Sequence, residues 1–133
     1  MDAAAALADL TEISSQVDAA VVLDDAGAVV ASTLDDAEHS ARLARAALEL
    51  LGGADKRFES DGRALTQLEA ALREGSVFVA REAGQSIVAT TSPEPTSGLV
   101  FYDLKTCLRS LAQPEPKPKP VRKRRSPKPE ADA

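Results

Sequence analysis

Residues 17–33, VDAAVVLDDAGAVVAST, decide how this chain folds. Two short apolar runs, residues 19–23 and 28–31, flank the cluster Asp24-Asp25-Ala26-Gly27, a pattern that predicts two strands of a hairpin. Gly27 is expected to take a positive φ, because a loop built on a type I turn requires one at its end. The first run is apolar on both of its faces. It is therefore predicted to lie inside a sheet that is covered on both sides.

Composition sets broad limits on the protein. A length of 133 residues suggests one domain with a real core, and with no Trp and few aromatics that core must be built from Ala, Val, Leu and Ile. Cys107 is the single cysteine, which excludes an intrachain disulfide and favours a reducing, cytoplasmic location. No apolar run approaches the roughly 18 residues that span a bilayer.

The charge is divided unevenly along the chain. Residues 1–112 contain 9 Lys and Arg against 18 Asp and Glu, whereas residues 113–133 contain 7 against 3. This division predicts an acidic folded domain, residues 1–112, and a disordered basic tail rich in Pro, Lys and Arg, residues 113–133.

Two helices are expected before the middle of the chain. Residues 3–17 place apolar side chains, including Ile13 and Val17, at three- and four-residue spacing, which predicts an amphipathic helix. Residues 37–51 form the second, with Asp35 or Asp36 as its cap and Gly52-Gly53 as its stop.

The second helix has more apolar surface than one sheet can cover. A charged stripe occupies one side, and most of the remaining circumference is Leu and Ala, so a second subunit is expected to cover what the sheet leaves open. The stripe contains two opposite-sign pairs at i,i+4 spacing and consists of Glu38, Arg42, Arg45 and Glu49.

The second half of the chain predicts strands followed by a helix. After a polar connection at residues 54–63, residues 64–72 fit two structures: their intrinsic propensity favours a helix, and their alternation suits a strand equally. Residues 77–80 and 86–91 are predicted strands, and a last helix runs from Thr96 or Ser97 to Ala112.

At this point the sequence resembles the Roadblock/dynein light chain family. The run Val17-x-Ala19-Ala20-Val21-Val22-x-Asp24-x-x-Gly27-x-x-x-Ala31-Ser32 is similar to its opening hairpin, and Leu68-x-x-x-Leu72-x-x-Gly75-x-Val77-x-Val79 to its strand pair around a glycine turn. Asp18 departs from the glycine that the family often has there. The resemblance implies an α+β fold of order α-β-β-α-β-β-β-α, related to profilin and longin domains. Its five-stranded antiparallel sheet has one helix on one face and the terminal helices on the other, with residues 64–72 as a strand.

The resemblance also implies a homodimer. Family members typically pair their third strands edge to edge and pack their second helices together, and they act as non-catalytic adaptors or as regulators of Ras-like small GTPases. The heavy use of Ala and Arg with no Asn suggests a bacterial member. The positions expected in the dimer interface are Leu43, Ala47, Leu50, Thr66, Leu68 and Ala70.

The reactive side chains do not assemble into a known catalytic motif. The chain lacks the GxxxxGK[ST] phosphate loop, and His39, its single histidine, cannot form a zinc-binding pair. Cys107 has the apolar spacing of a buried thiol, and a hairpin turn explains Asp24 and Asp25 better than paired catalytic carboxylates do. We therefore expect no catalytic, cofactor or metal site, and a protein that is not an enzyme.

The charged stripe on the second helix has two interpretations. Two copies side by side in a dimer would form a charged platform for a GTPase; alternatively, the stripe is an ordinary solvated helix face. The sequence leaves both open.

The tail also has more than one interpretation. Alternating prolines from Pro114 to Pro120 favour an extended, polyproline-like chain. The tail is either solvated, or folded back on the acidic domain, or bound to an acidic partner, an anionic membrane or nucleic acid. The alternative function is therefore a dimeric scaffold tethered by the basic residues Lys117, Lys119, Arg122, Lys123, Arg124 and Arg125.

Overall fold

The computed structural model describes residues 2–58 and 66–112. The order of helices and strands is the one that the sequence predicts. The elements are α1 (Ala3–Ile13), β1 (Val17–Leu23), β2 (Val29–Ser32), α2 (Ala37–Phe58), β3 (Gln67–Ala71), β4 (Ser76–Glu82), β5 (Gln85–Thr91) and α3 (Ser97–Ala112).

The five strands form one antiparallel sheet in the order β2-β1-β5-β4-β3. β1 lies between β2 and β5, which confirms the interior position predicted from its apolar faces. β2 and β3 are the two edges.

The hairpin between β1 and β2 closes as predicted. The Asp24 side chain accepts hydrogen bonds from the N–H groups of Ala26 and Ala28, both at 2.9 Å, and Gly27 takes a φ of 88°. The carboxylate therefore stabilises the turn by binding its backbone donors.

Helices cover both faces of the sheet. Because side chains alternate along a strand, Ala20 and Val22 of β1 pack under α1 and α3, whereas Val21 and Leu23 pack under α2. The larger cluster also contains an edge-to-face pair of phenylalanine rings, Phe78 and Phe101, with centroids 5.0 Å apart. The arrangement of one helix opposite two terminal helices is confirmed.

α1 is shorter than predicted. It ends at Ile13, and Val17, expected in the same helix, begins β1. The chain turns out of the helix at Ser14, whose backbone is extended while its N–H still bonds to the Leu10 carbonyl. Ile13 was expected on the buried face but is 68% exposed.

α2 is longer than predicted, because it continues through Gly52-Gly53 to Phe58. Each glycine costs a helix interior about 1 kcal/mol, but tertiary contacts hold the last turns in place. Leu51 is buried against the sheet, and Asp55 forms a two-pronged ion pair with Arg81 of β4. The predicted helix stop, and a connection beginning at residue 54, were therefore wrong.

Residues 67–71 form a strand, as the family resemblance implied and against the local helix propensity. β3 pairs in register with β4, with Leu68 opposite Val79 and Ala70 opposite Val77. The turn between them has no room for a side chain at Gly75, where a Cβ would lie 2.1 Å from the Thr91 carbonyl oxygen.

Candidate interaction surfaces

The edge strand β3 has backbone groups available for another strand. The backbone N–H and C=O groups on its inner side pair with β4. Just before the strand begins, for example, the Thr66 carbonyl accepts a hydrogen bond from the N–H of Arg81 at 2.8 Å. Because such groups alternate along an antiparallel ladder, Gln67, Glu69 and Ala71 direct their N–H and C=O groups away from β4. An edge of this kind can pair with a further strand.

The α2 face of the sheet is only partly covered. α2 packs mainly on β1, β2 and β5, and it makes fewer contacts with the half of the sheet formed by β3 and β4. Leu68 and Val77 on that half are only half-buried, as is Leu43 of α2 beside them in the cluster. Leu50, one heptad after Leu43 on the same flank, is 37% exposed. Apolar surface thus remains next to the open edge.

The structure brings most of the predicted interface residues to this region. Ala70 is half-buried on the same side of β3 as Leu68, and Thr66 is exposed just before the strand. Ala47, which was predicted to lie in the dimer interface, does not fit that prediction. It is completely buried between α2 and the sheet of its own subunit, so it has no exposed surface for contact with a second copy.

The predicted partner-binding residues Glu38, Arg42, Arg45 and Glu49 are all exposed on the outer side of α2. The carboxylate of Glu38 lies 3.6 Å from the guanidinium of Arg42. Within the described residues no second ion pair forms between Arg45 and Glu49. Such exposed pairs contribute well under ~1 kcal/mol to stability, so the stripe is available for other contacts.

The titratable side chains singled out in the sequence have ordinary structural environments. His39 is at the surface, with its Nδ1 3.2 Å from a carboxylate oxygen of Asp36. Cys107 is buried, and burial, with a smaller contribution from the charge of Asp9, raises its pKa to about 11. Its thiol is therefore protonated at neutral pH and is a poor nucleophile. Across the described residues, no group of three metal-ligating side chains lies together.

Sequence reasoning missed the contact between Asp55 and Arg81. Both guanidinium nitrogens lie 2.9 Å from the carboxylate oxygens, and both side chains are about one-third exposed. The two residues are 26 positions apart in the sequence. The predicted helix stop at Gly52-Gly53 placed Asp55 in a connection. In the structure Asp55 lies on α2, one turn after the buried Leu51, and this helical position directs it toward Arg81.

Two further predictions concern the rest of the chain. Within residues 2–58 and 66–112 no helix is both long and apolar enough to cross a membrane. The predicted tail, residues 113–133 with all its basic side chains, lies outside the described residues, as does the connection at residues 59–65.

Comparison with family models identifies one family for this chain. A family model described as the Roadblock/LC7 domain matches residues 4–91. A Roadblock/LC7 domain from Streptomyces avermitilis has 21% identity and a TM-score of 0.73, covering 84% of this chain and 96% of that one. MglB from Myxococcus xanthus has 14% identity and a TM-score of 0.70, covering 82% and 90%. The gliding protein MglB from Thermus thermophilus has 16% identity and a TM-score of 0.68, covering 83% and 85%. No curated protein sequence matches the chain. At these identities the similar structures establish the fold.

Proposed function

Because the chain belongs to the Roadblock/LC7 domain family, we propose that it is a homodimeric, non-catalytic module that binds a Ras-like small GTPase and modulates its nucleotide cycle or its location. The observation that supports this most directly is the open edge of β3 beside the partly covered α2 face. Among the residues that the structure describes, one subunit leaves the outward backbone groups of β3 unpaired and the apolar surface beside them partly exposed.

A second copy of the chain would complete both features. Antiparallel pairing of two β3 edges satisfies the outward groups of Gln67, Glu69 and Ala71 and joins the two sheets into one. The same pairing brings the two α2 helices next to each other over the join. Their neighbouring flanks then bury the apolar surface at Leu43 and Leu50, which one sheet leaves open.

The dimer would offer a GTPase a charged and rigid surface. Two α2 helices side by side present two copies of the stripe Glu38, Arg42, Arg45 and Glu49, all of whose members are exposed. Charges on rigid helices steer association and set specificity. The proposal requires contacts and no chemistry from this chain, in keeping with the protonated thiol of Cys107 and the surface position of His39.

Affinity capture from nuclease-treated native lysate tests the proposal. The baits are the full-length chain, the variant Arg42→Glu/Arg45→Glu, and the control Arg73→Glu/Lys105→Glu, which makes the same change of charge away from α2. We expect mass spectrometry to find a protein with a GxxxxGK[ST] motif in the captures by the full-length chain and the control. Reversal of the α2 charges should reduce that capture at least tenfold.

Binding of the recovered GTPase is then measured after loading it with GDP and with a non-hydrolysable GTP analogue. A clear preference for one nucleotide state supports a role in the GTPase cycle. Failure of all baits to recover a P-loop GTPase, or equal recovery by both charge variants, would contradict the proposed site.

The alternative function, a scaffold tethered by the basic tail, makes a different prediction. Binding to duplex DNA through the tail should weaken with salt, with a log–log slope of about −0.9 for each phosphate neutralised. Binding of a GTPase to the folded domain should survive neutralisation of Arg122, Lys123, Arg124 and Arg125.

A further inference from the structure

A groove separates α1 from α3 on the face of the sheet opposite α2. It has a volume of about 280 Å³, and its floor is apolar, formed by Ala6, Leu10 and Cys107. Two large side chains at one end, Ile13 and Tyr102, are 68% and 66% exposed. Leu99, one turn before Tyr102, is 50% exposed. A cluster of exposed apolar side chains indicates a surface that contacts another molecule or another segment of chain.

The charged residues that line the groove are acidic. Asp9 of α1 and Asp103 of α3 are its charged lining residues, and no Lys or Arg is among the lining side chains that the structure describes. Asp103 is only 8% exposed, and within residues 2–58 and 66–112 no hydrogen bond or ion pair reaches its carboxylate. A buried carboxylate without a partner is unfavourable, so a cation or hydrogen-bond donor is expected in the groove.

The positive side chains of α3 face elsewhere. Lys105 and Arg109 lie on the opposite flank of the helix, near the turn between β4 and β5, where Arg109 donates to a carboxylate oxygen of Glu82 at 2.9 Å. They do not neutralise the groove. A cation that pairs with Asp103 would therefore come from outside the described part of the chain.

The chain's own C-terminal segment begins at the end of this groove. α1 and α3 run in opposite directions, with Gln16 after α1 accepting a hydrogen bond from the N–H of Thr96 at the start of α3. The groove consequently extends from Tyr102 to Ser110, only two residues before α3 ends at Ala112. Pro114 follows at once, and a helix cannot continue into it.

The sequence of that segment matches the groove in chemistry, and the segment is long enough to run along the whole groove. Prolines at every second position from Pro114 to Pro120 favour a polyproline helix, in which residues three apart share an edge. Lys117 thus shares an edge with Pro114 and Pro120. Three such residues rise by about 9 Å, the length of about six residues of α-helix. A segment that reverses at Pro114 near Ser110 brings Lys117 level with Asp103, and Pro120, about 9 Å further along, close to the exposed Leu99.

We propose that the groove between α1 and α3 binds residues 115–120 of the same chain, with Lys117 pairing with Asp103 and Pro120 packing beside Leu99. Tyr102 lines the groove between these two contacts, and docking of proline-rich segments in aromatic-lined grooves is an established mode of peptide recognition. The docked segment covers the apolar groove and fixes where the basic residues that follow, Arg122 to Arg125, leave the domain. This inference is independent of the proposed GTPase contact, which lies on the opposite face.

Amide NMR spectra of the full-length, isotope-labelled chain test the proposal. The variant is Lys117→Glu, and the matched control is Lys123→Glu, which makes the same change of charge six residues further along. We expect Lys117→Glu to shift the amide resonances of Tyr102, Asp103 and Thr106, and Lys123→Glu to leave them in place. Raising the salt concentration from about 0.05 to about 0.5 M should move the wild-type resonances toward those of Lys117→Glu, because screening weakens the ion pair.

Two results would overturn the inference. Unchanged groove resonances in Lys117→Glu would show that the segment does not dock there. Equal shifts from both variants would show a diffuse attraction between an acidic domain and a basic tail, without the specific pairing.

A spin label distinguishes docking within one chain from docking on another copy. The label is attached at Lys119→Cys in a Cys107→Ala background, so that a single thiol reacts. Broadening of the groove resonances is expected when the labelled chain is itself the isotope-labelled one. Broadening that appears only when a spin-labelled, unenriched chain is mixed with an isotope-labelled chain lacking the label would assign the segment to a neighbouring copy and overturn the intrachain contact.

Discussion

At the scale of single residues, Ala83 has a strained backbone conformation. It takes a φ of 56° beside Gly84 at 81°, in the two-residue turn between β4 and β5. A turn of this kind requires positive φ at both positions, which suits Asn-Gly and is costly for Ala. We predict that Ala83→Asn raises the free energy of unfolding by about 0.5–1 kcal/mol, measured by chemical denaturation.

The control for this prediction is Ala26→Asn. Ala26 also lies in a hairpin turn, but it is not among the residues with positive φ. It should therefore gain no stability from Asn. Equal stabilisation by both substitutions would mean that the polar side chain acts in some way other than by relieving backbone strain.

Cys107 gives the protein a dependence on alkaline pH. Its pKa is raised from 9.0 to about 11, first by burial and then by the charge of Asp9. The folded state therefore favours the neutral thiol, so its contribution is complete below pH 9 and is lost as the pH rises toward 11. We predict that the free energy of unfolding falls over this range by up to about 3 kcal/mol, and that the part due to Cys107 is absent in Cys107→Ala. The same slope in both proteins would contradict this assignment.

At the scale of elements, two glycines inside α2 lower the stability of the helix. Gly52 and Gly53 lie inside the helix, and a Cβ at either position would meet no atom within 4 Å. We predict that Gly52→Ala/Gly53→Ala raises the free energy of unfolding by about 1–2 kcal/mol, measured by denaturation at a fixed protein concentration.

Gly84→Ala serves as the opposite control. Its φ of 81° is one that Ala adopts only with strain, so that substitution should destabilise the protein. A loss of stability in the α2 double variant would indicate that the glycines are needed where a second helix approaches closely.

The predictions from sequence succeeded where one local pattern decides the structure. The hairpin around Gly27 and the cap at Asp36, whose carboxylate accepts from the N–H of Glu38, are of this kind. They failed where a distant contact overrides a local signal. Gly52-Gly53 is typical of a helix stop, but the contact between Asp55 and Arg81 carries the helix past it.

β3 is the intermediate case. Its residues favour a helix by intrinsic propensity, but hydrogen-bonded pairing with β4 holds them in a strand. The order of elements in the family supplied the answer that local reasoning left open. The candidate surfaces follow the same rule: exposure of the α2 stripe was predictable from helical spacing, whereas the full burial of Ala47 required the packed sheet.

At the scale of the whole molecule, the proposed dimer depends on the outward face of β3. We predict that Gln67→Pro, which removes one outward N–H, raises the dimer dissociation constant about tenfold, equivalent to about 1.4 kcal/mol. The ladder with β4 should persist, because the Gln67 N–H is not part of it. Analytical ultracentrifugation over a range of concentrations measures the constant.

Gln67→Ala is the matched control, because it removes the same side chain and keeps the N–H. It should leave the dimer intact. A chain that is monomeric without substitution, or a dimer equally stable in both variants, would exclude pairing through this edge.

The packing of α1 against α3 also has a consequence for how the protein is made. These helices are the first and last elements of the domain, and together they cover one face of the sheet, including Val22, Phe78 and Ile87. During synthesis α1 is made before all five strands, and α3 only after all of them. Until then the nascent chain holds a sheet with an uncovered apolar face, which is the kind of intermediate that chaperones bind.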